Sequence, residues 1–147
     1  MIAAAPRQPR SIMGLSSSQR RRLSAAARRA ARSAYAPYSK FRVGAAVLAG
    51  SGRIYTGANI ENASYGLACC AERTAVFQAI AEGERRIAAV AVFTPTPKPT
   101  PPCGACRQVI NEFGPRAVVV CTCRSRERVV ATLDQLLPDA FGPANLR

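Results

Sequence analysis

The sequence predicts an α/β fold, a three-layer α-β-α sandwich built around a mixed five-stranded sheet. Strand-like apolar runs alternate along the chain with segments of helical apolar spacing, which is typical of layered α/β proteins. A glycine-containing turn between the first two strands predicts an antiparallel hairpin, so the sheet is not purely parallel. The 147 residues, 48% of them hydrophobic, suit one core. We therefore expect a single domain over residues 15–147.

The N-terminal region is predicted to be a flexible tail followed by a helix. Residues 1–14 contain Pro6, Pro9 and Gly14 and few signals of order. One of the serines at 16–18 can cap a helix that runs to about Ala34, before Pro37. Its apolar stripe comprises Leu15, Leu23, Ala26, Ala27, Ala30 and Ala34. The arginines are expected on the opposite, solvated face.

The remaining elements follow from the same periodicities. Residues 41–48 and 53–57 are rich in strand formers and flank the turn Ala49-Gly50-Ser51-Gly52. Residues 71–81 have helical apolar spacing, and Gly83 can end that helix. Continuous apolar runs at 87–93 and 117–121 predict buried strands, with a helix from Cys103 to about Gly114 between them. A fifth strand at 128–131 and a helical turn at 133–137 complete the chain.

The charge of the chain is strongly positive, at +13 from 21 basic and 8 acidic residues. Such a balance can indicate nucleic-acid binding. Eleven of the basic residues lie within positions 1–53, without aromatic residues interleaved as stacking platforms. We therefore expect a solvated helix face and no nucleic-acid partner.

No apolar run approaches the length of a membrane span, and no secretory signal follows the N-terminal arginines. A cytoplasmic protein without a membrane partner is expected. An organellar transit peptide is the alternative, because the arginine- and serine-rich N-terminus contains no acidic residue before Glu61.

Two cysteine motifs indicate a metal site. Cys70-Ala71-Glu72 precedes Pro102-Cys103-Gly104-Ala105-Cys106 by about thirty residues. Cys103 and Cys106 share one helix face, and Cys70 lies at the start of another helix, so all three thiolates can reach one Zn²⁺. The fourth position is then open to water, and Glu72 is placed to move protons.

A zinc ion held by three thiolates carries a net negative charge, and a fourth cysteine would close its coordination shell. Three thiolates leave the zinc cluster negative, and the helix N-termini together with Arg73 can compensate by hydrogen bonding to sulfur. A closed structural site would instead use Cys69 or Cys121 as a fourth ligand. Cys121 and Cys123 are expected to be inert thiols rather than a disulfide. The sequence contains no histidine, so acid–base chemistry falls to a carboxylate.

Taken together, these motifs resemble the cytidine deaminase family in its small tricysteine form. The resemblance extends over about residues 35–146 and includes the segments at 35–46, 59–66, 106–108 and 136–141. It implies a cytidine deaminase-like catalytic domain, one Zn²⁺ per subunit and hydrolytic deamination of cytidine and 2′-deoxycytidine in pyrimidine salvage. It also implies a homotetramer.

The resemblance implies a role for each matching residue. Cys70, Cys103 and Cys106 would bind zinc, and Glu72 would carry the proton. Asn59 and Glu61 would bind the ribose 3′-hydroxyl, although asparagines at 59 and 62 can also simply shape a turn. The other residues expected at the substrate are Phe41, Tyr65, the Ala71 backbone and, from a neighbouring subunit, Phe141.

Three other functions fit parts of the pattern. An aminonucleoside antibiotic deaminase of the blasticidin S type shares the zinc motifs, but Asn59-Ile60-Glu61-Asn62 resembles the cytidine enzymes. A nucleic-acid editing protein is supported by charge alone. A non-catalytic zinc module would not need Glu72.

Overall fold

The computed structural model describes residues 14–147. The predicted flexible tail, residues 1–14, therefore lies outside the described residues except for Gly14. In chain order the strands are β1 (Gly44–Ala49), β2 (Ile54–Ala58), β3 (Ile87–Phe93), β4 (Val118–Thr122) and β5 (Arg128–Thr132). The α-helices are α1 (Ser17–Ala30), α2 (Ala71–Ala81), α3 (Gly104–Phe113) and α4 (Leu133–Leu136).

The strands form one mixed sheet in the order β2-β1-β3-β4-β5. β3 and β4 are parallel, with Ala91 opposite Val120, whereas the other neighbouring pairs are antiparallel. The predicted five-stranded mixed sheet is thus confirmed. Helix α3 makes the connection between the two parallel strands.

Helices cover both faces of the sheet. In β1, Ala45 and Val47 join the core beneath α2 and α3, while Ala46 and Leu48 join the core beneath α1. Because successive strand residues point to opposite faces, a strand covered on both sides must be apolar throughout. This explains the continuous apolar sequence of the central strands and confirms the three layers.

Two glycines allow α1 and α2 to lie directly on the sheet. A Cβ atom at Gly44 would lie 2.0 Å from the Ala27 carbonyl oxygen of α1. A Cβ atom at Gly57 would lie 2.4 Å from the Ala75 amide nitrogen of α2. Glycine is therefore required at both positions by close backbone approach.

Two predicted boundaries were wrong. Helix α1 ends at Ala30 and continues as a 3₁₀ turn, Ala31–Ser33, so it stops before Ala34. The Arg42 guanidinium donates to the carbonyl oxygens of Ala31 and Arg32, which satisfies this end of the helix. β1 begins at Gly44 rather than at Phe41. Among the described residues, no helix has both the length and the hydropathy needed to cross a bilayer.

Candidate active site

The three cysteines of the predicted metal site lie at the beginnings of α2 and α3. Cys70 is the N-cap residue of α2, and Cys103 is the N-cap residue of α3. Cys106 lies in the first turn of α3 and is completely buried. The free N–H groups and partial positive charge of a helix N-terminus favour thiolates, so both helices are oriented to stabilise a bound anionic sulfur.

The spacing of the sulfur atoms fits one zinc ion. Cys70 Sγ lies 3.9 Å from Cys103 Sγ, and Cys103 Sγ lies 3.5 Å from Cys106 Sγ. All three sulfurs lie within 4.8 Å of one another. Sulfurs bound tetrahedrally at about 2.3 Å from zinc would be about 3.8 Å apart. The donor set therefore fits Zn²⁺ without rearrangement of either helix.

The suggested fourth ligands are not part of this cluster. Cys121 belongs to the hydrophobic core, where burial, followed by the nearby Glu72 carboxylate, raises its pKa to about 12. Cys69 accepts a hydrogen bond from the Thr74 hydroxyl, at 3.8 Å. Among the described residues the cluster has three members, which leaves a tetrahedral metal with one open position.

Arg73 contacts the thiol cluster directly. Its guanidinium donates to Cys70 Sγ at 3.6 Å. The pKa of Cys70 is lowered to about 5, first by its hydrogen bond with Cys106 and then by Arg73, although burial acts in the opposite direction. The bond with Cys70, together with burial, raises the pKa of Cys106. Cys70 is therefore the more acidic thiol of the Cys70–Cys106 pair.

Glu72 lies beside the cluster without belonging to it. It sits in the first turn of α2 and is 5% exposed. Burial raises its pKa, and the negative Cys70 thiolate acts in the same direction. A buried carboxyl group with a raised pKa can both accept and return a proton near neutral pH.

Three chain segments run side by side next to the cysteines. The Ile60 backbone bridges to Tyr35 on one side and to Cys69 on the other, with Ile60 N donating to Cys69 O at 2.9 Å. This arrangement fixes Asn59 and Glu61 between the segment at 35–43 and the start of α2. The motif residues predicted to bind ribose are thereby brought next to the predicted metal site.

The side chains of Asn59 and Glu61 hold the neighbouring loop. Asn59 Oδ1 accepts from Val43 N, and Asn59 Nδ2 donates to Phe41 O, both at 2.8 Å. Glu61 Oε1 accepts from the amides of Tyr38 and Ser39, each at 3.1 Å. Both motif residues thus determine the local backbone, and each still has unused hydrogen-bonding capacity. Asn62 also shapes a turn, since its Oδ1 accepts from Ser64 N.

One predicted aromatic contact, Tyr65, lines a cavity of about 360 Å³ together with Glu61 and Tyr38, among others, whereas Phe41 and Phe141 do not line it. Tyr65 is 75% exposed and packs edge-on against Tyr38, with ring centroids 5.8 Å apart. Phe41 is partly exposed, and Ala71 is completely buried. Tyr38 and Ser39 were not assigned roles from the sequence, because their contacts with Glu61 and Tyr65 depend on how the loops fold.

Phe141 lies at the end of a C-terminal segment that α3 holds in place. Gln108 Nε2 and Asn111 Nδ2 donate to the Phe141 carbonyl oxygen at 2.8 and 3.3 Å. Arg107 donates to the carbonyl oxygens of Pro102 and Leu136, each at 2.7 Å. The Phe141 residue itself is 60% exposed. Its backbone is therefore fixed while its ring faces outward.

Comparisons with known proteins agree with this geometry. Residues 17–122 match the family model described as the cytidine and deoxycytidylate deaminase zinc-binding region. A cytidine deaminase from Halalkalibacterium halodurans is 52% identical over 109 residues, which cover 74% of this chain and 83% of the relative. A cytidine deaminase from Sporosarcina psychrophila is 47% identical over 126 residues, covering 85% of this chain and 93% of that protein.

Solved structures show the same similarity. The crystal structure of cytidine deaminase from Burkholderia pseudomallei superposes with a TM-score of 0.80 at 51% identity and covers 82% of this chain and 98% of that one. The cytidine deaminase from Mycobacterium tuberculosis superposes with a TM-score of 0.72 at 43% identity and covers 83% of this chain and 96% of that one.

Proposed function

This chain belongs to the cytidine and deoxycytidylate deaminase family, and we propose that it hydrolyses cytidine and 2′-deoxycytidine to uridine and 2′-deoxyuridine. Ammonia is the second product, and the proposed role is pyrimidine salvage. The observation that carries the proposal is a buried carboxyl group, Glu72, beside a three-thiol cluster that it does not join. A non-catalytic zinc module would have no use for that acid.

Cys70, Cys103 and Cys106 are the residues that would hold one Zn²⁺ per subunit. When bound there, the ion supplies a Lewis acid that lowers the pKa of water at its open position. Arg73 offsets part of the charge of the thiolates through its contact with Cys70 Sγ.

Glu72 moves the protons of the reaction. Its carboxylate accepts a proton from the attacking water and delivers it to N3 of the pyrimidine, which makes C4 electrophilic. The water oxygen bonds to C4, and Glu72 then moves the second proton, from the new C4 hydroxyl to the exocyclic amine, so that the C4–N bond breaks and ammonia leaves. The raised pKa of Glu72 suits both steps, because the carboxyl group must hold a proton between them.

The loop residues orient the nucleoside. The Asn59 amide and the Glu61 carboxylate offer a donor and an acceptor to the ribose 3′-hydroxyl, and Glu61 repels a 5′-phosphate. Phe41 packs against the pyrimidine, while Tyr65 and the Ala71 backbone complete the contacts. Support comes from the two loop hydrogen bonds of Asn59, which set the position of the Phe41 backbone.

We propose a cytoplasmic homotetramer in which Phe141 completes the site of a neighbouring subunit. An exposed aromatic ring on a backbone that is hydrogen-bonded to α3 supports this role. An aromatic side chain left in water forgoes the free energy of burial, which a partner subunit would supply.

The experiment that tests this function compares the wild type with Glu72→Gln and with Glu112→Gln, an exposed residue of α3. Loss of cytosine ultraviolet absorbance measures turnover, and zinc is quantified in each protein. We expect Glu72→Gln to lower kcat by about 10²- to 10⁴-fold while retaining about one zinc per chain. Glu112→Gln should match the wild type.

A zinc-loaded wild type that leaves cytidine and 2′-deoxycytidine unchanged would contradict the nucleoside assignment. Blasticidin S would then be the next substrate, because its deaminases share the zinc motifs. Loss of zinc from Glu72→Gln alone would contradict the proton-transfer role and make the carboxylate a ligand.

A further inference from the structure

A groove lies on the sheet face opposite the thiol cluster. It has a volume of about 540 Å³ and runs between α1, the end of β4 and the start of β5. Its floor includes Val120, a residue of the core beneath α1. We call it the α1–β5 groove. The proposed deamination uses none of its residues.

Four arginines line this groove. Arg20, Arg21 and Arg28 come from α1, and Arg128 comes from β5. Ser17 and Ser24 lie on the same helix face as the α1 arginines, because their spacing follows the helical repeat. Arg21 and Arg28 are exposed, as predicted for a solvated arginine face, and the same face also borders β4 and β5.

The positive charge of the groove has no matching acid. None of the described residues that line it is acidic. Residues 1–13, which precede the structure, contain neither Asp nor Glu. Glu127 is adjacent to Arg128 in sequence but does not line the groove. Like charges placed together in this way repel one another, and a bound anion would relieve that repulsion.

Arg20 has a guanidinium donor that the described part of the protein leaves unpaired, as does Arg73 beside the thiol cluster. The Nε atom of Arg20 is buried and has no hydrogen-bond partner within the described structure. Its Nη2 atom reaches Ser17 Oγ only at 3.5 Å. By contrast, Arg42, outside the groove, donates to two backbone carbonyl oxygens. Buried donors are normally paired, and charge-assisted bonds to phosphate are among the strongest that arginine makes.

We propose that the α1–β5 groove binds the phosphate groups of a nucleoside triphosphate. Arg20, Arg21 and Arg128 offer three guanidinium groups to the phosphates, and arginine binds phosphate oxygens in pairs. The fourth arginine, Arg28, also lies over the Phe93 ring, with its guanidinium carbon 4.9 Å from the ring centroid. The volume lies within the range of small-molecule sites. A single-stranded nucleic acid is a poorer match, because no aromatic side chain lines the groove to stack its bases.

Calorimetric titration of the zinc-loaded protein at physiological ionic strength tests this site. ATP and inorganic tripolyphosphate are titrated separately, which distinguishes the phosphate groups from the nucleoside as the source of affinity. A thymidine homo-oligonucleotide is the third ligand. We expect about one ATP to bind per chain. Because phosphate contacts provide most of the affinity, the Kd of tripolyphosphate should exceed that of ATP by less than about tenfold.

The variants are Arg20→Gln/Arg21→Gln and, separately, Arg128→Gln, which alters an exposed strand residue and avoids disturbing α1. Each should weaken ATP binding by about tenfold or more, because charge-assisted bonds are lost. The matched control, Arg53→Gln/Arg147→Gln, removes two exposed charges outside the groove and should stay within about twofold of wild type. Cytidine turnover, measured on every variant, should be unchanged and reports that each is folded.

Absence of binding by ATP and tripolyphosphate would overturn the proposal. An equal loss of affinity in the control would also overturn it, because total charge rather than the groove would then bind the ligand. Tighter binding of the oligonucleotide than of ATP, with a steep salt dependence, would replace the triphosphate with a nucleic acid.

Discussion

Charged side chains have different partners on the two faces of the sheet. On the face covered by α2 and α3, Glu72 and Arg73 lie beside the thiol cluster, and Arg107 donates to two backbone carbonyl oxygens. On the face covered by α1, arginines line a groove that contains no acidic side chain. On the first face Arg73 and Arg107 both donate to groups of the protein itself, whereas the groove on the second face offers its arginines no acidic partner among the described residues.

This difference shows two ways in which a sequence encodes a site. The face covered by α2 and α3, which we call the thiol face, is specified by closely spaced motifs. Cys70 and Glu72 lie two residues apart, and Cys103 and Cys106 lie three apart. The α1–β5 groove depends instead on where α1 crosses the sheet. Such a site forms only when distant elements pack together, so no short sequence motif predicts it.

The largest expected effect comes from removing a buried ligand on the thiol face. Cys106→Ser should abolish zinc binding and deamination, because two thiolates do not hold the ion at an open tetrahedral site. Cys121→Ser changes another buried cysteine in the same way and should retain zinc, although burying a hydroxyl costs stability. Zinc content and turnover measure both results. Full zinc occupancy in Cys106→Ser would show that another group completes the site.

Substitutions of Gly57 and Gly44, which lie beneath α2 and α1, test whether the two faces of the sheet contribute differently to catalysis. Gly57→Ala and Gly44→Ala each place a methyl group against helix backbone and should destabilise the fold by about 3 kcal/mol. Gly57→Ala displaces α2, which carries Glu72, and should also lower kcat of the folded fraction. Gly44→Ala displaces α1 and should leave kcat unchanged.

Denaturant unfolding gives the stability of each glycine variant, and turnover is measured well below the melting transition. Gly66→Ala, where a Cβ would meet nothing within 4 Å, serves as the control and should lie within about 0.5 kcal/mol of wild type. An equal loss of kcat in both helix variants would mean that the faces are not independent.

Substitution of Arg73 tests how strongly zinc affinity depends on the guanidinium that contacts Cys70 Sγ. Arg73→Gln removes the charge that contacts Cys70 Sγ and should weaken zinc affinity by about 10- to 100-fold. Competition with a chelator measures the affinity. Arg53→Gln, an exposed change at the β1–β2 hairpin, should leave it unaltered. If the two variants hold zinc equally, the charge of the cluster is balanced by the helix N-termini alone.

The smallest effect concerns Glu61. Partial burial acts to raise the pKa of Glu61, but hydrogen bonds from Ser39 and Tyr38 prevail, so its pKa is below the usual 4.5. A carboxylate with a lowered folded pKa is ionised above 4.5, and its contribution is lost as the pH falls through the folded value. Uridine binding should thus be insensitive to Glu61 ionisation above pH 4.5 and weaken below it. Glu61→Gln should bind uridine more weakly and remove this acid-side dependence.

Local signals predicted the elements that hold the thiols. The strand predicted at residues 87–93 is β3, and the helix predicted at 71–81 is α2, with matching bounds. Continuous apolar runs and helical spacing are properties of neighbouring residues, so the sequence displays them directly. The clustering of Cys70 with Cys103 and Cys106 is a tertiary contact, and it was predicted from the spacing of the two cysteine motifs rather than from periodicity.

Other features that depend on tertiary contacts were not predictable. Arg42 reaches back to the carbonyl groups of Ala31 and Arg32, in the 3₁₀ turn that follows α1. The support of Glu61 by Tyr38 and Ser39 requires the Ile60 backbone to bridge two loops. Periodicity carries no information about such contacts, since each joins residues from different elements.

The thiol cluster joins α2 and α3, which are separated in the chain by β3 and a proline-rich loop. An ion bound across them favours the folded chain over every open state in which the helices part. Intracellular proteases cut mainly open states. The lifetime of this protein in a cell is therefore expected to follow the supply of zinc, so that a starved cell loses the polypeptide as well as its activity.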